Sequence, residues 1–146
     1  MKKLGIVMMF VALLAIPSCS TLSGATDTAA IASGTTCARA LLALRASHKA
    51  GTLSVTNLSD ISNMLVVANA YKQLRANKDN ANYKKSFSSG MVAGGSGVIT
   101  NSNVANIVNL LMNANGLANV TSNNINTGNT ATTTTHSIVP IVEGLK

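Results

Sequence analysis

The chain has 146 residues, a formal net charge of +7 and only 10% charged residues, against about 25% in an average soluble domain. Its polar surface must therefore be built from Asn, Ser and Thr, with few ion pairs. Two Tyr, two Phe and no Trp dictate an aliphatic core and argue against stacking on sugars or bases as the main activity.

At the N-terminus, Lys2 and Lys3 form a positive region ahead of an uncharged apolar run, residues 4–16. The run is too short to cross a hydrocarbon core comfortably, which takes about 20 helical residues, and has the length of a signal-peptide core. It ends in Ile16, Pro17, Ser18 and Cys19. This tetrapeptide resembles the lipobox of bacterial lipoproteins, in which an apolar residue and two small residues precede an invariant Cys. The resemblance implies removal of residues 1–18 as a signal peptide. Cys19 then becomes the new N-terminus, diacylated on sulfur and commonly carrying a third acyl chain, palmitate-like in kind. Two chains give stable membrane attachment where one is marginal. In that family Ser20 is compatible with passage to the outer membrane. No acidic run follows Cys19 to signal export to the outer surface, so the expected location is the cell envelope, anchored in the outer membrane and facing the periplasm. Ordinary cleavage after Ser18 or Ser20, which releases a soluble protein, is the alternative.

Without residues 1–18 the chain keeps 128 residues and a charge of +5, enough for one domain. Residues 19–35 read as the lipidated Cys and a flexible tether, with STLSGATDT at 20–28 small and polar. Within it Asp27, Thr28 and Ala29 resemble a short O-glycosylation sequon of one group of Gram-negative bacteria. Helical spacing then places Ala30, Cys37, Leu41, Leu44 and His48 on one stripe. Gly34 interrupts the early part, so the firm helix is expected at 36–49 with Thr35 or Thr36 as its cap and Gly51 as its stop.

A second helix, capped by Thr56 or Asn57, carries a wide apolar arc: Leu58, Ile61, Met64, Leu65, Val67, Ala68, Tyr71 and Leu74. An arc that wide suits a helix with neighbours on two sides. A third, weaker helix follows Tyr83, Phe87, Met91 and Gly94 to about residue 93. The fourth, at 102–115, has Val104, Ile107, Val108, Leu111 and Met112 on one stripe and Gly116 as a natural C′ residue. Helices two and four both open with Thr-Asn, 44 residues apart. The expected fold class is all-α, a small bundle of three to four helices over 36–117. Residues 118–136, rich in Thr and Asn, read as a loose polar segment. Pro140 is expected to interrupt any helix, and residues 137–145 to dock back as a short apolar piece.

Sites for chemistry are few. Gly90 and Gly95 have P-loop spacing, but Ser96 and Gly97 stand where Lys and Ser/Thr belong. The Gly-rich stretch is therefore a loop between helices, or a close packing surface made by Gly90, Gly94 and Gly97. Cys37 and His48 lie about 16 Å apart along a helix, beyond reach of each other. The sequence leaves a pairing of Cys37 with His136 open, although Cys37 falls on the core stripe. With Cys19 acylated no disulfide forms. No Cys/His/Asp spacing suggests a metal, and no cofactor is implied.

Two surfaces remain. Lys72, Arg75, Lys78, Lys84 and Lys85 gather around the second and third helices, a solvated helix end or a patch attracted to anionic lipid or an acidic polymer. Asn106, Asn109 and Asn113 form an amide ladder opposite the apolar stripe of the fourth helix, a solvated face or a surface for an envelope protein or polymer partner. Nucleic acid is excluded by export and the shortage of aromatics. The expectation is a non-catalytic structural or interaction lipoprotein, with a carrier of a small apolar ligand, held between helices two and four, as the alternative.

Overall fold

A computed structural model describes residues 26–145. The expected signal peptide and Cys19 lie outside the described residues, as does the expected tether up to residue 25; the rest of it, from residue 28 on, is the start of a helix. Within them the fold is all-helical, and the helices number five rather than three to four: α1 (Thr28–Lys49), α2 (Leu58–Ala76), α3 (Ala81–Gly94), α4 (Val104–Met112) and α5 (Gly128–Glu143), with a 3-10 turn at Asn115–Leu117 between the last two.

α1 starts well before residue 36. The Asp27 carboxylate accepts a hydrogen bond from the Ala30 amide at 3.1 Å and caps the first turn. Thr35 and Thr36 are interior, each donating its hydroxyl to the carbonyl four residues earlier, Ile31 and Ala32, at 2.9 Å. Gly34 does not break the helix because it lies on a buried face pressed against α3.

Successive α1–α3 contacts advance together. The Asp27 amide meets Ser86 Oγ, and Gly90 and Gly94 abut the backbone of Ile31 and Thr35. The two helices are therefore parallel. A Cβ built on Gly34 would sit 2.0 Å from the Phe87 carbonyl oxygen, and one on Gly90 equally close to that of Ile31. Small residues at these two positions are what let the backbones approach. Gly94 belongs to the same seam, whereas Gly97 stands clear of it at φ +81°, in the turn after α3.

α2 runs back between them in sequence, antiparallel to both, and packs on α1 and on α4. Asn57 is its cap, accepting from the Ser59 amide. Met64, Val67, Ala68, Tyr71 and Leu74 are buried as the arc predicts, but Leu58, in the first turn at the end of the bundle, is 77% exposed. α3 is capped by Asn80 and buries Tyr83, Phe87, Met91 and Gly94. α4 buries Val104, Ile107, Val108 and Leu111. Gly116 does not act as a C′ residue. It lies within the 3-10 turn, where a Cβ would meet Ser137 Oγ at 2.2 Å, and lets α5 close on that turn.

The largest departure is α5. Residues expected to be loose form a helix of 16 residues that continues through Pro140. Thr133, Thr134 and Thr135 donate their hydroxyls to the carbonyls of Asn129, Thr130 and Ala131, so they satisfy themselves within the helix instead of competing with it. Pro140 lies on the exposed face, where the carbonyl one turn before it can be hydrated. Ile138, Ile141, Val142 and Leu145 enter the common core.

Candidate functional site

Cys37 and the histidines do not form a nucleophilic site. Cys37 is fully buried and burial alone pushes its thiol up to about 12, so the thiolate that nucleophilic chemistry needs is suppressed. His48, at the end of α1, lies 3.4 Å from the Glu143 carboxylate at the end of α5. Beside it Arg45 Nε donates to the Leu145 carbonyl at 3.0 Å, and a shallow cleft of about 290 Å³ lies among these residues. His136 is exposed on α5 whereas Cys37 is sealed from solvent, and it lines a different cleft with Leu110, Asn113 and Pro140. Among the described residues no group of three His, Cys, Asp or Glu side chains could hold a metal.

The five basic residues divide. Lys72 is occupied: its ammonium donates to the Val120 carbonyl at 2.6 Å and ties α2 to the segment before α5. Next to it the Tyr71 hydroxyl donates to Asn115 Oδ1 at 3.1 Å. Arg75, Lys78 and Lys85 are exposed and Lys84 is half-buried. These four lie at the end of the bundle where α2 stops and α3 starts. The Asn ladder is where the spacing puts it, with Asn106, Asn109 and Asn113 all exposed along α4.

The sequence reading missed how the chain enters the fold. Ser86, wholly buried on α3, accepts hydrogen bonds from the amides of Thr26 and Asp27 at 3.1 and 3.0 Å, and the Thr26 hydroxyl donates to Asn82 Oδ1 at 3.2 Å. The entry point is thereby fixed beside the first turns of α3, the same end that carries Lys78, Lys84 and Lys85. Gly90 and Gly94 are legible in the sequence as a close packing surface; the signal that could have carried the seam on to the entry point is the same four-residue spacing of small residues at Ser86 and, on α1, at Ala30, Gly34 and Ala38. Thr28 is exposed in the first turn of α1, and the Asp27 beside it is engaged as the cap.

A second polar centre was also missed. Asp60 is 1% exposed and accepts from Ser47 Oγ at 2.7 Å and the Ser54 amide at 3.1 Å, which pins the loop between α1 and α2. This is structural work, since every buried side-chain polar atom among the described residues has a partner. A groove of about 430 Å³ between α1 and α2 is lined by Ala32, Ser33, Thr36, Leu65, Val66, Asn69 and Ala70.

No helix among the described residues is long and apolar enough to cross a membrane. No protein family, curated protein or solved structure matches the chain.

Proposed function

We propose that the protein is a small lipoprotein of the cell envelope, held to the outer membrane by acyl chains on Cys19, with a structural or interaction role rather than a catalytic one. The observation that carries this is the apolar run of residues 4–16 ending in Ile16, Pro17, Ser18 and Cys19. The remaining thiol supports it from the other side. Cys37 is sealed in the core with its ionisation suppressed, so it serves neither as nucleophile nor as an acceptor of lipid.

The folded part suits a body carried on a tether: the chain enters it at the surface, at Thr26, which is exposed. Partners are an envelope protein or an anionic lipid or polymer, met through the exposed basic residues and the Asn106, Asn109 and Asn113 face. Radiolabelled palmitate fed to cells making the intact chain and a Cys19→Ala form tests the anchor. Label in the first and none in the second is expected, and an unlabelled intact chain overturns it. Cross-linking in native membranes then identifies what the exposed faces touch.

The groove between α1 and α2 favours one other reading, a carrier of a small apolar ligand, because Leu65 and Val66 are only half-buried there. Its location differs from the α2–α4 interface expected from sequence. An apolar molecule extracted with organic solvent from natively purified protein would support the carrier.

A further inference from the structure

The cations of the folded body are unevenly placed. Of its eight Lys and Arg side chains, Lys72, Arg75, Lys78, Lys84 and Lys85 lie toward the end where α2 hands over to α3, opposed there by Asp27 and Asp79 alone. Asp27 is engaged as the cap of α1, and Lys72 is held by the Val120 carbonyl. The other end, about 33 Å away along the 22 residues of α1, has Arg45 and Lys49 balanced by Asp60 and Glu143, with Arg45 bonded to the Leu145 carbonyl.

The basic end is also the end from which the chain leaves the body. Thr26 and Asp27 are clamped to Asn82 and Ser86 in the first turns of α3. Lys85 precedes Ser86 in the same helical turn and is exposed. From Thr26 back to Cys19 there are seven residues, which reach at most about 25 Å when fully extended. An anchored body is therefore never far from the headgroups, and its entry end is the nearer one.

We propose that this end is a membrane-docking surface, on which Lys78, Lys84 and Lys85, with Arg75 beside them, lie against anionic lipid headgroups of the bilayer that holds the acyl chains. The proposal rests on the anchored reading above. The tether supplies the encounter, and the four cations set the orientation: the α2–α3 turn faces the bilayer while the Asn57 and Lys49 end faces away. The attraction acts over roughly a Debye length, about 8 Å at physiological salt, so it is gained only when the body lies down on the surface.

The test uses the full mature protein extracted from its own cells and reconstituted into two sets of vesicles, neutral phosphatidylcholine alone and phosphatidylcholine with phosphatidylglycerol. Flotation on the neutral vesicles reports the acyl anchor alone. Docking is read separately, as the rate at which an amine-reactive reagent labels each lysine. On anionic vesicles Lys78, Lys84 and Lys85 should be labelled several-fold more slowly than on neutral ones, with Lys49 unchanged and the protection lost at high salt. In a Lys84→Gln/Lys85→Gln form the docking equilibrium should weaken by about fivefold per charge removed, so Lys78 should be labelled at nearly the same rate on both sets of vesicles. Flotation with equal labelling on both vesicles overturns the docking surface and leaves the anchor standing. Flotation on anionic vesicles only, with Lys78, Lys84 and Lys85 protected, overturns the anchor and supports the surface. Protection by dextran sulfate but not by anionic vesicles would overturn the lipid assignment in favour of an acidic polymer.

Discussion

A methyl group on Gly34 or Gly90 would lie 2.0 Å from a backbone carbonyl oxygen of the facing helix, and no rotamer change relieves a clash with backbone. Either substitution to Ala must push α1 and α3 apart, with a cost of about 3 kcal/mol or more. Gly97→Ala is a useful contrast, since nothing lies near its Cβ and only its positive φ opposes the change, at about 1 kcal/mol. Urea midpoints should therefore fall far more for the first two; equal losses at all three positions would refute the seam. Cys37 has its own consequence. Its thiol is raised from 9.0 to about 12 by burial, so the folded state holds a proton that the unfolded chain releases above pH 9. The resulting contribution to stability is complete below pH 9 and is lost as pH rises from 9 towards 12. Burial raises Tyr83 as well, with the same sign. Cys37→Ala should reduce the steepness of alkaline unfolding, and a thiol reagent at pH 8 should label Cys37 only in denaturant.

Two turns outside the helices repeat one another, each reading apolar, Thr, two polar residues, Asn, apolar, at residues 99–104 and 120–125. Thr100 N–H donates to Asn103 Oδ1 at 2.7 Å while Asn103 Nδ2 donates to the Val98 carbonyl. Thr121 N–H donates to Asn124 Oδ1 at 2.8 Å while Asn124 Nδ2 donates to the Asn119 carbonyl. Each Asn closes its turn between two buried apolar residues, Ile99 and Val104 in one, Val120 and Ile125 in the other. Asn103→Ala should cost about 2 kcal/mol for two lost bonds, and Asn103→Asp less, because the Thr100 amide keeps its acceptor. Thermal melts that rank Asp at or below Ala would contradict this. Periodicity made α2, α3 and α4 legible because their apolar stripes are regular. The Thr100 and Thr121 turns were not, since the pairing seen in sequence was Thr56 with Thr100. α5 was hidden for another reason: Thr has low helix propensity by itself, and the hydroxyl bonds that reconcile Thr133, Thr134 and Thr135 with a helix are formed only once the helix exists. Thr132→Ala with Thr133→Ala should raise the melting temperature by a few degrees, about 1 kcal/mol together. A loose segment at these positions would show no change.

At the scale of the whole molecule the five helices are not held equally. α1 buries nine residues and lies against α3, α2 and α5, so its unfolding dismantles everything else. α5 buries four, Thr134, Ile138, Ile141 and Val142, and is fastened at its end by the His48–Glu143 pair and by Arg45 on the Leu145 carbonyl. The His48–Glu143 contact is partly exposed and adds at most about 1 kcal/mol. α5 should therefore open as a unit while the α1–α3 seam stays closed. This separates the two ends by rigidity as well as by charge: the end at Thr26 and Asp27 is clamped by Ser86 to the α1–α3 interface, whereas α5 lies against the 3-10 turn and the far end of α1. Native-state hydrogen exchange would resolve the order, with amides of α5 exchanging through a subglobal opening well below the free energy of global unfolding and those of residues 37–44 and 87–91 only through the global event. Arg45→Ala should lower the opening energy of α5 and leave that of α1 and α3 unchanged. Exchange of α5 at the global free energy would mean that the bundle is a single cooperative unit, and that the close approach at Gly34 and Gly90 does not divide it.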